Sequence, residues 1–326
     1  MYAIRLHEFG PPENLRYEQV DDPEPGPGQV RIAVAAAGVH FIDTRIRAGQ
    51  PGPMPRPTLP QIPGREVGGV VDAVGEGTDA SWLGRRVVAH LGAASGGYAE
   101  RAVVSAEELL PVPDGLSDET AVAMLGTGRT TIAILDAAQL TADDVVLVTA
   151  AAGGIGSLLV QAGRNVGATV VGMAGGPAKV DRIRELGADL AVDYTEPGWD
   201  QRVRDGLGGR EPTVALDGVG GEAGRTTLEL LGVGGRILFF GNASGELTRL
   251  STGDLFSRGL TASAAIGARL ARVPGGLRRL AERALAEAAG GRLVPLVDKP
   301  YPLNEAAVAH AALEGRATMG KVVLVP

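Results

Sequence analysis

The sequence predicts an α/β protein, a doubly wound parallel sheet set between two pieces of a smaller β-rich domain. Three observations carry this. From Leu116 to about residue 260, uninterrupted apolar runs alternate with helical stretches, the pattern of parallel strands covered on both faces. Before that stretch the chain reads as short strands separated by Pro and Gly clusters; after it, an amphipathic helix and a closing strand break the alternation. At roughly 150 residues per domain, 326 residues make about two domains. The expected boundaries are 1–120 for the first part of the small domain, 121–262 for the sheet domain and 263–326 for a tail that returns to the first.

Met1 to Leu6 reads as a first strand, because it lacks a basic stretch followed by an apolar one. Val30 to Val34 alternates, and Val67–Val71 and Arg86–Ala89 are short apolar runs. Pro51 to Pro63 holds six prolines and reads as a rigid surface loop. Ser117, followed by Asp118 and Glu119, reads as a helix N-cap with acids where the dipole favours them. Strands are then expected at 145–148, 169–172, 191–192, 214–216 and 236–240, with helices at 155–166, 177–187 and 222–231. In the tail, Leu277, Leu280, Ala281, Ala284, Leu285 and Ala288 share a helix face, Asn304 is expected to cap a further helix, and Lys321–Val325 is a closing strand.

Composition removes several classes of function. Without cysteine there are no disulfides, Fe–S clusters, thiol nucleophiles or Cys-containing zinc sites. Two Trp, five Tyr and five Phe are too few for a base-stacking platform, and a net charge of −7 opposes binding to a phosphate backbone. Val145 to Gly163 carries no charge, but its glycines make it a strand, a turn and a helix start in preference to a membrane span. A soluble, cytoplasmic protein with a small-molecule substrate is expected, with neither nucleic acid nor membrane as partner.

The most informative segment is Val145-Val146-Leu147-Val148-Thr149-Ala150-Ala151-Ala152-Gly153-Gly154-Ile155-Gly156. From Ala151 it reads A-x-G-x-x-G, a variant of the dinucleotide fingerprint. Gly153 lets the backbone approach a pyrophosphate, Gly156 permits close helix–strand packing, and the helix N-terminus stabilises negative charge. An ordinary βα turn is the plainer reading, but the buried strand before it, the helix after it and a second strand ending about 20 residues on favour the nucleotide. NAD binders usually carry an acid at the end of that second strand. Here it closes Gly172-Met173-Ala174-Gly175-Gly176, which leaves room for a 2′-phosphate beside Gly175 and Gly176, with Lys179 and Arg182 as cations. NADPH is therefore preferred, the alternative for Lys179 being a solvated residue in a first helical turn.

Six segments in order, Ala37–Thr44, Pro63–Gly69, Gly97–Glu100, the glycine turn, Phe240–Gly245 and Gly315–Lys321, resemble a zinc-free medium-chain dehydrogenase/reductase of the NADPH:quinone oxidoreductase (zeta-crystallin-like) type. The resemblance implies a Rossmann-type nucleotide domain, a GroES-like β-barrel catalytic domain built from both ends of the chain, an active site where the two meet, and homodimers joined at an edge strand, Leu260–Ala264. Carried over by position, it puts Thr130 near the nicotinamide, and Ala152, Gly153, Gly154 and Ile155 on the pyrophosphate. Lys179 falls on the 2′-phosphate, Tyr194 near the adenosine and Val219 under the cofactor. Phe240, Gly241, Asn242 and Ser244 line the nicotinamide, and Arg316 joins the cofactor residues. Zinc-dependent relatives place Cys, His and Cys where this chain has His40, Arg65 and Thr127, so no zinc is expected; Glu66 is read as a partner of Arg65 or as a structural hydrogen-bonder, not as a catalyst.

His40 and Arg45 are the candidate catalytic residues. His40 stands where quinone reductases usually have Asn. It can give a proton near neutral pH, or it is a packed loop histidine. Arg45 and Pro51 stand where relatives often carry pocket tyrosines, and Arg45 meets a carbonyl-bearing substrate or is a solvated charge. Asp43 is expected to hold its loop by local hydrogen bonds, while His7, His90 and His310 read as structural or surface residues. The implied chemistry is hydride transfer to a quinone or similar electron-poor acceptor. Reduction of a 2-alkenal or an α,β-unsaturated thioester is the alternative, and a non-catalytic nucleotide-binding protein is a third.

Overall fold

In a computed structural model, the structure describes residues 1–50 and 56–326, without the side chain of Ala271. Residues 51–55, which include Pro51 and part of the proline loop, lie outside the described residues. The chain divides into two compact units, Met1–Thr127 with Val297–Pro326, and Gly128–Leu296.

The first unit is organised by the strand Gln29–Val39, long enough at 11 residues to serve three neighbours. It pairs antiparallel with Glu66–Val74 along one edge, and with Arg101–Ser105 and Val322–Val325 along the other. Arg86–His90 and Leu110–Pro111 extend the sheet beyond Glu66–Val74, and Tyr301–Pro302 extends it beyond the closing strand. Register shifts at Arg31/Ile32 and Val34/Ala36 bend the sheet, as β-bulges do. Ile4, Leu6, Ile32, Val67, Val87, Tyr98, Leu109 and Leu324 fill its interior. The helix Asp118–Ala123 follows the expected cap, with Ser117 accepting from the Thr120 amide.

The second unit carries six parallel strands in the order Leu190–Asp193, Thr169–Ala174, Val145–Val148, Val214–Asp217, Arg236–Phe239 and Thr261–Ala264. In chain order this is 3-2-1-4-5-6, the doubly wound arrangement with its switch point between the first and fourth strands. The four-residue strand Val145–Val148 is buried throughout, which explains its lack of alternation. Helices Gly154–Asn165, Pro177–Glu185 and Gly221–Leu230 lie within two residues of their expected bounds. Thr261–Ala264 is indeed an edge strand.

Three expectations need correction. The units divide after Thr127 and after Leu296, not at 120/121 and 262/263. Helix Gly276–Ala289 stays with the nucleotide unit because Leu280, Ala281, Ala284, Leu285 and Ala288 are buried there and Arg283 pairs with Asp136 at 2.6 Å. The segment behind it is tied by Gln161, whose side chain exchanges two hydrogen bonds with the Val294 backbone, and by Asn165 donating to the Arg292 carbonyl. Leu277 lies on the exposed side of that helix. Asn304 caps nothing: it sits inside a single 3-10 turn, Leu303–Glu305, and helix Ala306–Glu314 starts from Glu305 without a side-chain cap.

Tyr98 and His310 meet edge-on in the core of the first unit, hydroxyl to Nε2 at 3.1 Å, and Nδ1 of His310 is buried without a partner among the described residues. Burial pushes the imidazole from 6.5 down to about 4, with Asp43 opposing and Arg47 assisting. The unfolded chain therefore binds a proton that the folded ring refuses, so stability is lost as pH falls from 6.5 towards 4, by about 3 kcal/mol at the lower end. Urea unfolding across this window is expected to show a shallower decline for His310→Gln than for the wild type; parallel declines contradict this.

Candidate functional site

Parallel strands deliver all their C-terminal ends to one rim, where ligands of such sheets bind. In the second unit that rim carries Thr149–Gly154, Gly175-Gly176, Gly218–Gly220 and Phe240–Ser244, which hold most of the expected cofactor residues. Val145–Val148 turns into its helix through Ala150, a non-glycine residue at φ 48°, strained backbone of the kind that persists where the surroundings enforce it. The Gly153 amide closes the turn on the Ala150 carbonyl at 2.8 Å. A Cβ on Gly156 would fall 2.2 Å from that same carbonyl oxygen, so only glycine lets the helix approach. Helices Gly154–Asn165, Pro177–Glu185 and Gly221–Leu230 all start from a glycine N-cap with no side-chain cap, leaving their dipoles directed at the rim.

The loops are knitted in two groups. Around the switch point, Asp217 is wholly buried and its Oδ1 accepts from Thr149 Oγ1 at 2.9 Å and from the Val219 and Gly220 amides, while Oδ2 accepts from Thr248 Oγ1 at 2.6 Å. Thr149 Oγ1 accepts in turn from the Gly218 amide. The Ala243 and Ser244 amides donate to the Gly218 and Val219 carbonyls, so Phe240, Gly241, Asn242 and Ser244 are fixed against the fourth-strand loop. Ala152, Val219 and Phe240 are buried.

The second group joins the second and third strands. Gly176 takes φ 90° and donates its amide to Asp193 Oδ2 at 2.8 Å; Thr195 donates to Oδ1 from both its amide and its hydroxyl. Burial opposes the charge on Asp193, but hydrogen bonds from Thr195 and Gly176, with the Arg202 charge, hold its carboxyl below the usual range. An acid does stand at this end of the sheet, then, but on the third strand, bracing the Gly175-Gly176 turn. Lys179 is half-buried in the helix that follows Gly176, and Tyr194 packs partly against the core of this unit. Thr130 lies on helix Arg129–Ala138, half-buried.

His40, Arg45 and Arg316 belong to the first unit. His40 precedes helix Phe41–Arg47, and its amide donates to Asp43 Oδ2 at 2.8 Å, the local bond expected of Asp43. Arg45 lies over the Phe41 ring at 5.4 Å, and Arg316 takes φ 56° after helix Ala306–Glu314. Of the two readings of Glu66, the structure shows the structural hydrogen-bonder. Arg65 binds Asp43 at 3.2 Å, whereas Glu66 Oε2 lies 2.6 Å from His40 Nε2 and 3.3 Å from Lys321 Nζ. His7 pairs with Glu18 at the surface, and His90 Nδ1 accepts from the Gly92 amide. Lys321 and Asp217 are the residues that sequence reasoning did not assign to the site.

Residues 154–282 match the zinc-binding dehydrogenase family and residues 26–114 the alcohol dehydrogenase GroES-like domain. The chain is 33% identical to the quinone oxidoreductase of Pseudomonas aeruginosa over 325 residues, 99% of both chains. The chain belongs to the quinone oxidoreductase branch of the medium-chain dehydrogenase/reductase family. It is also 33% identical to a 2-haloacrylate reductase of a Burkholderia species, over 99% of this chain and 98% of that one. A mycobacterial protein solved in complex with NADPH superposes with a TM-score of 0.86 at 34% identity over the whole of both chains.

The zinc in the family's description does not fit these residues. The sequence has no cysteine, Arg65 is ion-paired with Asp43, and His40 Nε2 is engaged by Glu66 and Lys321. Among the described residues no group of three or more His, Cys, Asp or Glu could hold a metal ion. A dinucleotide does fit: the glycine-capped helix starts and the close-packed Gly156 turn form the backbone cradle that a pyrophosphate requires.

If Asp217 fixes the rim, Asp217→Ala leaves several buried donors unpaired and costs about 3 kcal/mol or more, against about 1 kcal/mol for Thr248→Val. Thermal unfolding measures both, and an Asp217→Ala protein as stable as the wild type contradicts this account.

Proposed function

We propose that this protein is an NADPH-dependent, metal-free oxidoreductase that delivers hydride to a quinone or similar electron-poor acceptor. The observation that carries this reading is the rim of the second unit: a second strand that ends in Gly175-Gly176 without an acid, with Lys179 in the next helix and Asp193 turned to bracing the glycine turn. When bound, NADPH supplies the hydride from C4 of its nicotinamide, and the protein supplies position and electrostatics.

In this reading Ala152, Gly153, Gly154 and Ile155 bind the pyrophosphate. Gly175, Gly176 and Lys179 take the 2′-phosphate, and Tyr194 lies at the adenosine. Thr130, Val219, Phe240, Gly241, Asn242 and Ser244 hold the nicotinamide, with Arg316 completing the cofactor set. Arg45 offers a cation to the acceptor carbonyl, and His40 supplies a proton. A quinone takes its protons from solvent and needs no such donor. The 2.6 Å contact between His40 and a buried carboxylate therefore favours the second reading, reduction of an α,β-unsaturated carbonyl compound, whose carbon or oxygen gains a proton as hydride arrives. The proposal includes a cytoplasmic location and a homodimer joined along Thr261–Ala264, at the edge of the sheet. Among the described residues no helix is long and apolar enough to cross a membrane.

Loss of nicotinamide absorbance with a panel of quinones, 2-alkenals and a crotonyl thioester tests the activity. Turnover of at least one class is expected, and NADPH binding without turnover of any returns the protein to a non-catalytic role. For Lys179→Ala, the preference for NADPH over NADH is expected to fall about tenfold, the loss of one charge-assisted hydrogen bond. An unchanged preference removes Lys179 from the 2′-phosphate site.

A further inference from the structure

The sheet of the first unit brings three ionisable side chains from distant parts of the chain to one point. His40 follows the strand Gln29–Val39, Glu66 opens Glu66–Val74, and Lys321 precedes Val322–Val325. The strand Gln29–Val39 runs between the other two, with Ala37 opposite Val67 and Val39 opposite Val322, so all three side chains come to the same end of the sheet. The side chains of Glu66 and Lys321 are 1% and 4% exposed, while that of His40 is 21% exposed.

The pairing runs through a single carboxylate oxygen. Oε2 of Glu66 lies 2.6 Å from His40 Nε2 and 3.3 Å from Lys321 Nζ, and Nζ lies 2.9 Å from Nε2. Oε1 is buried without a partner among the described residues, against Gly126, where a Cβ would fall 1.7 Å from it. Burial works against the charge on Glu66, but the imidazole and the Lys321 ammonium together hold its carboxyl well below the usual carboxylate range. A charged carboxylate oxygen and an unprotonated ring nitrogen cannot stand 2.6 Å apart, lone pair against lone pair, so Nε2 carries the hydrogen and donates it. The Lys321 ammonium has no acceptor left on Nε2. It donates to Oε2 instead, and burial pushes the Lys321 ammonium below its ordinary range while the Glu66 charge opposes that.

We propose that Lys321 and Glu66 act as positioning residues that together set the tautomer and the protonation of His40. Glu66 fixes the hydrogen on Nε2 and favours the imidazolium; Lys321 disfavours it and so eases release of the second proton, from Nδ1. The consequence for catalysis rests on the reading of His40 as the proton source. Once the acceptor has gained hydride at its β-carbon and its double-bond electrons have moved onto the carbonyl oxygen, the Nδ1–H bond breaks and an O–H bond forms. The ring is left neutral with Nε2–H still on Glu66, and it regains its proton from solvent. Other charged groups near the ring are Asp43, which accepts from the His40 amide and pairs with Arg65; Arg45, on the helix that His40 precedes; and His90, opposite Glu66 in the sheet. The Asp43–Arg65 pair is internally balanced, which leaves Glu66 and Lys321 as the opposed charges in contact with the ring.

The test uses the full-length protein with ring-15N-labelled histidine, with and without NADPH. His40 is assigned among four histidines by His40→Gln, and the pH profile of single-turnover reduction of a 2-alkenal is recorded alongside. The neutral ring is expected as the Nε2–H tautomer. Lys321→Met is expected to raise the midpoint of the His40 ring titration by about one pH unit and Glu66→Gln to lower it by a similar amount, while Lys321→Arg restores the wild-type midpoint. Lys321→Gln stands in where Met unfolds the chain. The falling limb of the rate profile at high pH is expected to move with the ring. Shifts in the same direction, no shifts, or a neutral ring protonated on Nδ1 overturn the proposal. Opposed ring shifts with an unmoved rate profile support it and instead remove His40 as the proton source.

Discussion

A buried carboxylate with four hydrogen-bond donors holds the nucleotide unit's functional edge in place. Asp217 ends the fourth strand at the point where the strand order of the sheet reverses, and a doubly wound fold necessarily opens a crevice there. Loops leaving the first, fourth and fifth strands would otherwise part at that crevice. Asp217 binds Thr149 from the first strand's turn, the Val219 and Gly220 amides of its own loop and Thr248 beyond the fifth-strand loop, so the rim is one connected piece. In a dry interior an unpaired carboxylate is expensive, and the same dryness makes the satisfied arrangement stiff. Stiffness at this edge is what a hydride-transfer site requires, since the protein contributes chiefly position.

The barrel unit solves a different problem by similar means. Its ionisable centre at His40, Glu66 and Lys321 is not fully satisfied, because one buried carboxylate oxygen of Glu66 has no partner among the described residues. Around Asp217 both carboxylate oxygens collect donors; around His40 one buried carboxylate oxygen of Glu66 is left without one among the described residues. On the proposed reading, the first would bind a cofactor through backbone amides and glycines, and the second would move a proton through titratable side chains.

Most of the fold was legible because buried parallel strands have to be apolar throughout, and Val145–Val148 and Val214–Leu216 could be little else. The glycine turn was legible for the steric reason the structure displays at Gly156. The allegiance of helix Gly276–Ala289 was not, since its apolar face would have suited either unit. The choice is made by Arg283, Gln161 and Asn165 through polar contacts across more than 120 residues of chain. Glu66 was legible as a structural hydrogen-bonder, but its partners His40 and Lys321 come from distant parts of the chain. Lys321 went unnoticed as a strand opener, for its burial follows only from the pairing of the last strand with Gln29–Val39. Asp217 carried a signal in Asp217-Gly218-Val219-Gly220, an acid closing an apolar strand before a glycine loop, but the donors it collects come from turns far along the chain.

The central claim is that the dinucleotide lies on the rim that Asp217 holds together. Hydrogen exchange of the full chain, measured by mass spectrometry with and without NADPH, tests it most directly. Amides in 149–157, 217–221 and 240–246 are expected to gain protection together on binding, since they form one connected edge. Binding of NADPH that leaves the exchange of all three segments unchanged would contradict it.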